Sequence, residues 1–168
     1  MEYQPGNVLL WKNTTWIDKA IRIWDFLKYG RLGYSHSSII IGQASSTEYI
    51  VAEEDEKNFT ISNYAKSYFN SKIAKGQLTV KTANVPLDLD LLSSTAHKWL
   101  GTLYGYFEDF EDVFNFKISD GLLSMNCSEA VSRLLYVAGG KNLDLSKEFK
   151  KDFDFITPTD ISMSKQLS

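Results

Sequence analysis

The chain has 168 residues, 43% hydrophobic and 23% charged, which suits one domain with one core and excludes wholesale disorder. Net charge is −3 and the isoelectric point about 5.4. The lysines are scattered and the densest run, Lys147 to Lys151, is interrupted by Glu148 and Phe149, so no cationic stripe is available to track phosphates and nucleic acid is not an expected partner.

Taken in chain order, Asn7 to Trp11 is a short apolar run after the turn pair Pro5-Gly6 and predicts a strand. Ile17, Ala20, Ile21, Trp24 and Leu27 recur at helical spacing, so Trp16 to Leu27 predicts an amphipathic helix packed on the core. After a loop through Gly30 and Gly33, His36 to Gly42 carries the β-branched run Ile39-Ile40-Ile41 and predicts a buried strand. Thr47 to Glu53 predicts its hairpin partner, and Phe59 to Ile61 a further short strand. Ser62 is read as the cap of a helical stretch through Phe69, and Gln77 to Ala83 as another strand. Asp88 or Asp90 caps a helix predicted to reach Leu103, its buried side formed by Leu91, Leu92, Thr95, Ala96, Trp99 and Leu103. The last clear helix is Cys127 to about Ala138, ended by Gly139-Gly140. Thr157 to Asp160 is read as a turn in the tail. Strands and helices come in blocks, so the expected fold class is α+β, with a single domain over residues 1–168.

With one cysteine, no internal disulfide can form, and one Cys with two His falls short of the usual zinc ligand set. No metal or other cofactor is expected. The N-terminus lacks a basic n-region, and no run approaches the ~18 apolar residues of a membrane span. The expectation is therefore a cytoplasmic protein without a transmembrane segment, with later release left open.

Cys127 follows Asn126, a strong N-cap residue, and Glu129 stands at the capping-box position. The thiol therefore sits at the first position of a helix, where free N–H groups and the positive end of the dipole favour a thiolate and an adjacent oxyanion. A sulfur nucleophile needs a base that later acts as an acid, and His36 at the start of a central strand is a rigid candidate. His97 falls on the solvent side of its helix. Glu53 and Glu54 end the strand that should pair with that of His36, and alternation allows only one of them to face the ring. The phase Tyr49, Val51, Glu53 favours Glu53.

Several local motifs occur in a fixed order. Pro5-Gly6-Asn7-Val8 opens the chain, followed by Ser35-His36-Ser37-Ser38-Ile39, then Tyr49-Ile50-Val51-Ala52-Glu53, Tyr104-Gly105-Tyr106-Phe107, Asn126-Cys127-Ser128-Glu129 and Thr157-Pro158-Thr159-Asp160. This order resembles the permuted papain-like hydrolases, the NlpC-related, YiiX-like branch, in which the His strand precedes the Cys helix. The resemblance covers residues 5 to 161. It departs from that pattern at Asn7, where the opening Asp is expected, at Gly105 after Tyr104, and at Glu53-Glu54. It implies a small antiparallel sheet packed against helices, including the N-terminal end of the Cys helix. It also implies a Cys127-His36-Glu53 hydrolase acting on a peptide, a peptidoglycan-derived peptide or another amide, with Tyr104 at the oxyanion or in the cleft. The alternatives are acyl transfer or lipid ester cleavage on the same fold, and a binding module without turnover.

Overall fold

The computed structural model describes residues 2–12, 23, 26–27, 30, 33–54, 58–104 and 124–168, with the backbone alone at 103–104 and 124–125. The protein is α+β. Its centre is a five-stranded sheet made of β1 (Val8–Trp11), β2 (His36–Ser45), β3 (Glu48–Glu54), β4 (Phe59–Ala65) and β5 (Leu78–Lys81), in the spatial order β4-β3-β2-β1-β5. Every neighbouring pair is antiparallel. Helix α1 (Lys66–Ala74) follows β4, α2 (Leu89–Lys98) follows β5, and two short parallel strands, β6 (Leu103–Tyr104) and β7 (Ser124–Met125), precede α3 (Cys127–Gly139). The tail adds α4 (Leu145–Phe149) and α5 (Pro158–Met163).

Both faces of the sheet are covered, which is why its central strands are apolar at successive positions rather than alternating. On one face Val8, Leu10, Ile39, Ile41 and Ala52 pack against Leu92 and Ala96 of α2 and against Ala130, Val131, Leu134 and Leu135 of α3. On the other, Leu9, Trp11, Ile40, Tyr49 and Val51 pack against Tyr3 and Phe69. Each fully buried Leu, Ile or Phe contributes roughly 1.5–3 kcal/mol. Gly6 adopts φ of 89°, and a Cβ there would stand 2.6 Å from a Leu87 methyl. Its N–H donates to Ile40 O at 2.7 Å, which joins the N-terminal turn to β2.

Four expectations change. Ser62 caps no helix: β4 stays extended to Ala65, because it pairs with β3 along its whole length, and α1 begins only at Lys66. Helix α2 stops at Lys98 rather than Leu103, with Trp99 as its C-cap and Gly101 at φ of 86° just beyond. Its buried face is Leu92, Thr95 and Ala96, which turns Leu91 outward. Thr157-Pro158-Thr159-Asp160 is no isolated turn but the capping box of α5. Of the proposed helix over Trp16 to Leu27, most residues lie outside those described; Ile23, Phe26 and Leu27 are helical, and Leu27 is 72% exposed instead of packed on the core. Among the described residues, no helix is long and apolar enough to cross a membrane.

Candidate active site

The site forms where β2 begins, β3 ends and α3 starts. Asn126 builds the helix end. Its Oδ1 accepts from Glu129 N at 2.8 Å and from Ser128 Oγ at 3.0 Å, and its Nδ2 donates to Asp154 O at 3.0 Å. The residue is completely buried, so each of these groups depends on it for a partner that water would otherwise supply. Cys127 follows at the first helical position, itself buried and with a free thiol. The backbone N–H groups of Cys127 and Ser128 therefore flank the sulfur in the first turn, where the helix dipole is positive.

His36 is the first residue of β2, paired with Trp11 of β1. Strand alternation puts it on the same side as Ser38, whose Oγ accepts from Trp11 Nε1 at 2.8 Å. The His36 side chain is 17% exposed. Its Nε2 donates to Glu53 Oε2 at 3.0 Å, and the Cys127 side chain interacts with the ring as well, raising its pKa. The structure thus brings Cys127, His36 and Glu53 together, although α3 packs on the opposite face of the sheet; the contact is made at the sheet's end.

Glu53 pairs with Ser38 across β2–β3 and shares its side of the sheet with Tyr49 and Val51. Its second oxygen, Oε1, accepts from Tyr64 Oη at 2.7 Å. Glu54 points to the other face and is buried. His97 is exposed, its Nδ1 donating to Ser93 O within the same helix at 2.8 Å. Tyr104 ends β6 and is paired with Met125, two residues before Cys127, while its side chain lies outside the described residues. Among the described residues, no group of three or more His, Cys, Asp or Glu side chains is placed to hold a metal ion.

Two opposing effects set the charge of His36. Burial lowers its pKa, but interactions with the Cys127 and Glu53 side chains outweigh burial and raise it to about 10. The unfolded value is about 6.5, so the stability that the imidazolium contributes is complete below about pH 6.5 and is lost as the pH rises through about 10. The gap in urea midpoint between the wild type and His36→Gln is therefore expected to narrow steadily over that window. A gap that stays constant from pH 6.5 to 10 would contradict a folded-state imidazolium.

Tyr64 is the residue that sequence reasoning missed. Placing Ser62 to Phe69 in a helix removed it from the sheet, and no pattern near Glu53 points to it. The β-favouring run Phe59-Thr60-Ile61 is broken by Ser62-Asn63 before it reaches Tyr64, so no local signal marks that residue.

No protein-family model matches the chain, and no curated protein matches it.

Proposed function

We propose that the chain is a papain-like cysteine hydrolase of the permuted, NlpC-related type, cleaving an amide bond in a peptide or a peptidoglycan-derived peptide. The observation that carries this reading is the Cys127–His36–Glu53 contact, assembled from a helix N-terminus and two adjacent strands. In the reaction, Cys127 Sγ attacks the carbonyl carbon, and the oxyanion forms beside the N–H groups of the first turn of α3. His36 passes its proton to the leaving amine as the C–N bond breaks, leaving a thioester. The neutral imidazole then takes a proton from water, whose oxygen attacks the thioester; the S–C bond breaks, the acid departs, and the thiolate and imidazolium are restored. Glu53 holds the ring through Nε2 in the tautomer and orientation these transfers need.

The test is detection of an acyl-enzyme by peptide mass spectrometry. The protein is mixed with p-nitrophenyl acetate and with muropeptides, quenched in acid and digested. A 42 Da acetyl adduct on Cys127, absent from Cys127→Ala, together with released amine from the muropeptides, is the expected result. Failure of Cys127 to acylate with either reagent would leave a binding module without turnover.

One observation favours a second reading, lipid ester cleavage or acyl transfer. Ile23, Phe26 and Leu27 are spaced to share one helix face and are 57%, 52% and 72% exposed. Co-flotation with phosphatidylcholine vesicles, lost in Phe26→Asp, would support this reading, because muropeptide cleavage needs no membrane.

A further inference from the structure

We infer that Tyr64 is a positioning residue of this site, holding one oxygen of Glu53 so that the other stays on the His36 ring. The inference rests on the hydrolase reading above and extends it to a fourth side chain. Glu53 is a flexible side chain at a strand end, and one bond to the ring would let its carboxylate swing. The structure instead ties it at both oxygens, Oε2 to His36 Nε2 at 3.0 Å and Oε1 to Tyr64 Oη at 2.7 Å.

The phenol that makes the second tie is itself fixed. Tyr64 pairs with Tyr49, four positions along β4 from Thr60, the residue opposite Glu53. Its ring therefore lies along the sheet face to reach back to the carboxylate. It stacks on Phe69 at 5.7 Å with 25° between planes, and stands 5.5 Å from Tyr68 and 6.3 Å from Trp11. Trp11 is in turn bonded to Ser38 and paired with His36. The contacts close into a loop, from His36 through Trp11 and Tyr64 to Glu53 and back to His36. A packing role alone would need only the ring; the short hydroxyl-to-carboxylate bond is charge-assisted and favours the ionised Glu53 that an imidazolium requires.

The titratable groups bonded to Glu53 include His36 of β2 and Tyr64 of β4, and Cys127 of α3 interacts with the His36 ring. Next out come Tyr68 of α1, with Lys72 Nζ over its ring at 5.4 Å, and Glu54 on the opposite face.

The experiment is the pH profile of Cys127 alkylation by iodoacetamide from pH 4 to 9, in the wild type, Tyr64→Phe, Glu53→Gln, the double variant and His36→Ala. Phenylalanine keeps the ring and removes only the hydroxyl. The acid limb is expected to move up by about half a pH unit in Tyr64→Phe, which is about a threefold loss of rate at pH 5, with the melting temperature nearly unchanged. Adding Tyr64→Phe to Glu53→Gln is expected to change nothing further, because the hydroxyl acts through that carboxylate. Superimposed profiles for the wild type and Tyr64→Phe, with His36→Ala clearly displaced, would overturn the inference alone. Additive shifts in the double variant would also overturn it. If His36→Ala itself follows the wild-type profile, the Cys–His pair fails and this inference fails with it.

Discussion

Alkylation of Cys127 by iodoacetamide at pH 6 is expected to slow by about tenfold or more when His36 is replaced by alanine. An ordinary thiol with a pKa near ~8.5 is only about 0.3% ionised at pH 6. An imidazolium beside sulfur favours the anion, and His36 carries that charge well above neutrality, with Glu53 behind it. The gain in thiolate is partly offset, because a less basic sulfur is a weaker nucleophile by a Brønsted slope of about 0.4–0.5. What remains is a factor of about ten to twenty. The assay reads one site, since the chain holds a single cysteine. The helix N-terminus persists in the variant, so the residual rate should exceed that of the unfolded chain. Equal rates for the two proteins at pH 6 would remove the coupled pair and the main support for an enzyme.

The second large effect lies one residue before the sulfur. Asn126→Ala is expected to cost about 2–4 kcal/mol in urea unfolding. A lost N-cap accounts for about 1–2 kcal/mol, and the buried groups left without Asn126 for the rest. Those groups are the Ser128 hydroxyl, which donates to Asn126 Oδ1, and the partly buried Asp154 carbonyl, which accepts from Asn126 Nδ2. The Asp154 bond also fastens the Cys helix to the tail, where Arg133 Nη2 donates to Asp154 Oδ1 at 2.9 Å and Arg133 Nε to Glu129 Oε1 at 2.6 Å. The alkylation rate of Cys127 should fall together with stability, because the cap fixes the turn that aims the thiol. An unchanged urea midpoint would mean that water replaces the amide at no cost.

The central strands were readable because their β-branched runs are long and bounded by turn residues. The start of α3 was readable because Asn126 is a local cap signal, its Oδ1 accepting from Glu129 N, whereas the Glu129 carboxylate accepts from Arg133 Nε. The choice of Glu53 over Glu54 followed from strand phase alone: Tyr49 and Val51 share one cluster, and Glu53 continues their side. The β4–α1 boundary was not readable for a physical reason. Helix α1 starts after Ala65 with no side-chain cap, so no local residue marks it, and the polar pair Ser62-Asn63 imitates one three positions too early. Tyr64 was invisible because its role depends on a contact with Glu53 that only sheet register creates. At the tail, Thr157 and Asp160 did carry a legible capping box with Pro158 at the first helical position, but a six-residue helix is too short to show periodicity.

The order of the site's parts along the chain has a consequence for its synthesis. His36, Glu53 and Tyr64 come from the consecutive strands β2, β3 and β4, and Cys127 lies 91 positions after His36. At about 5–20 residues per second, a ribosome delivers the sulfur roughly 5–18 seconds after the imidazole. The sheet therefore has time to pair before the nucleophile exists. The helix that bears Cys127 packs in one core with Ile156, Ile161 and Leu167, which follow it in the chain and are made later still. A nascent chain thus carries the histidine–carboxylate pair before the sulfur that will stand beside it has been made.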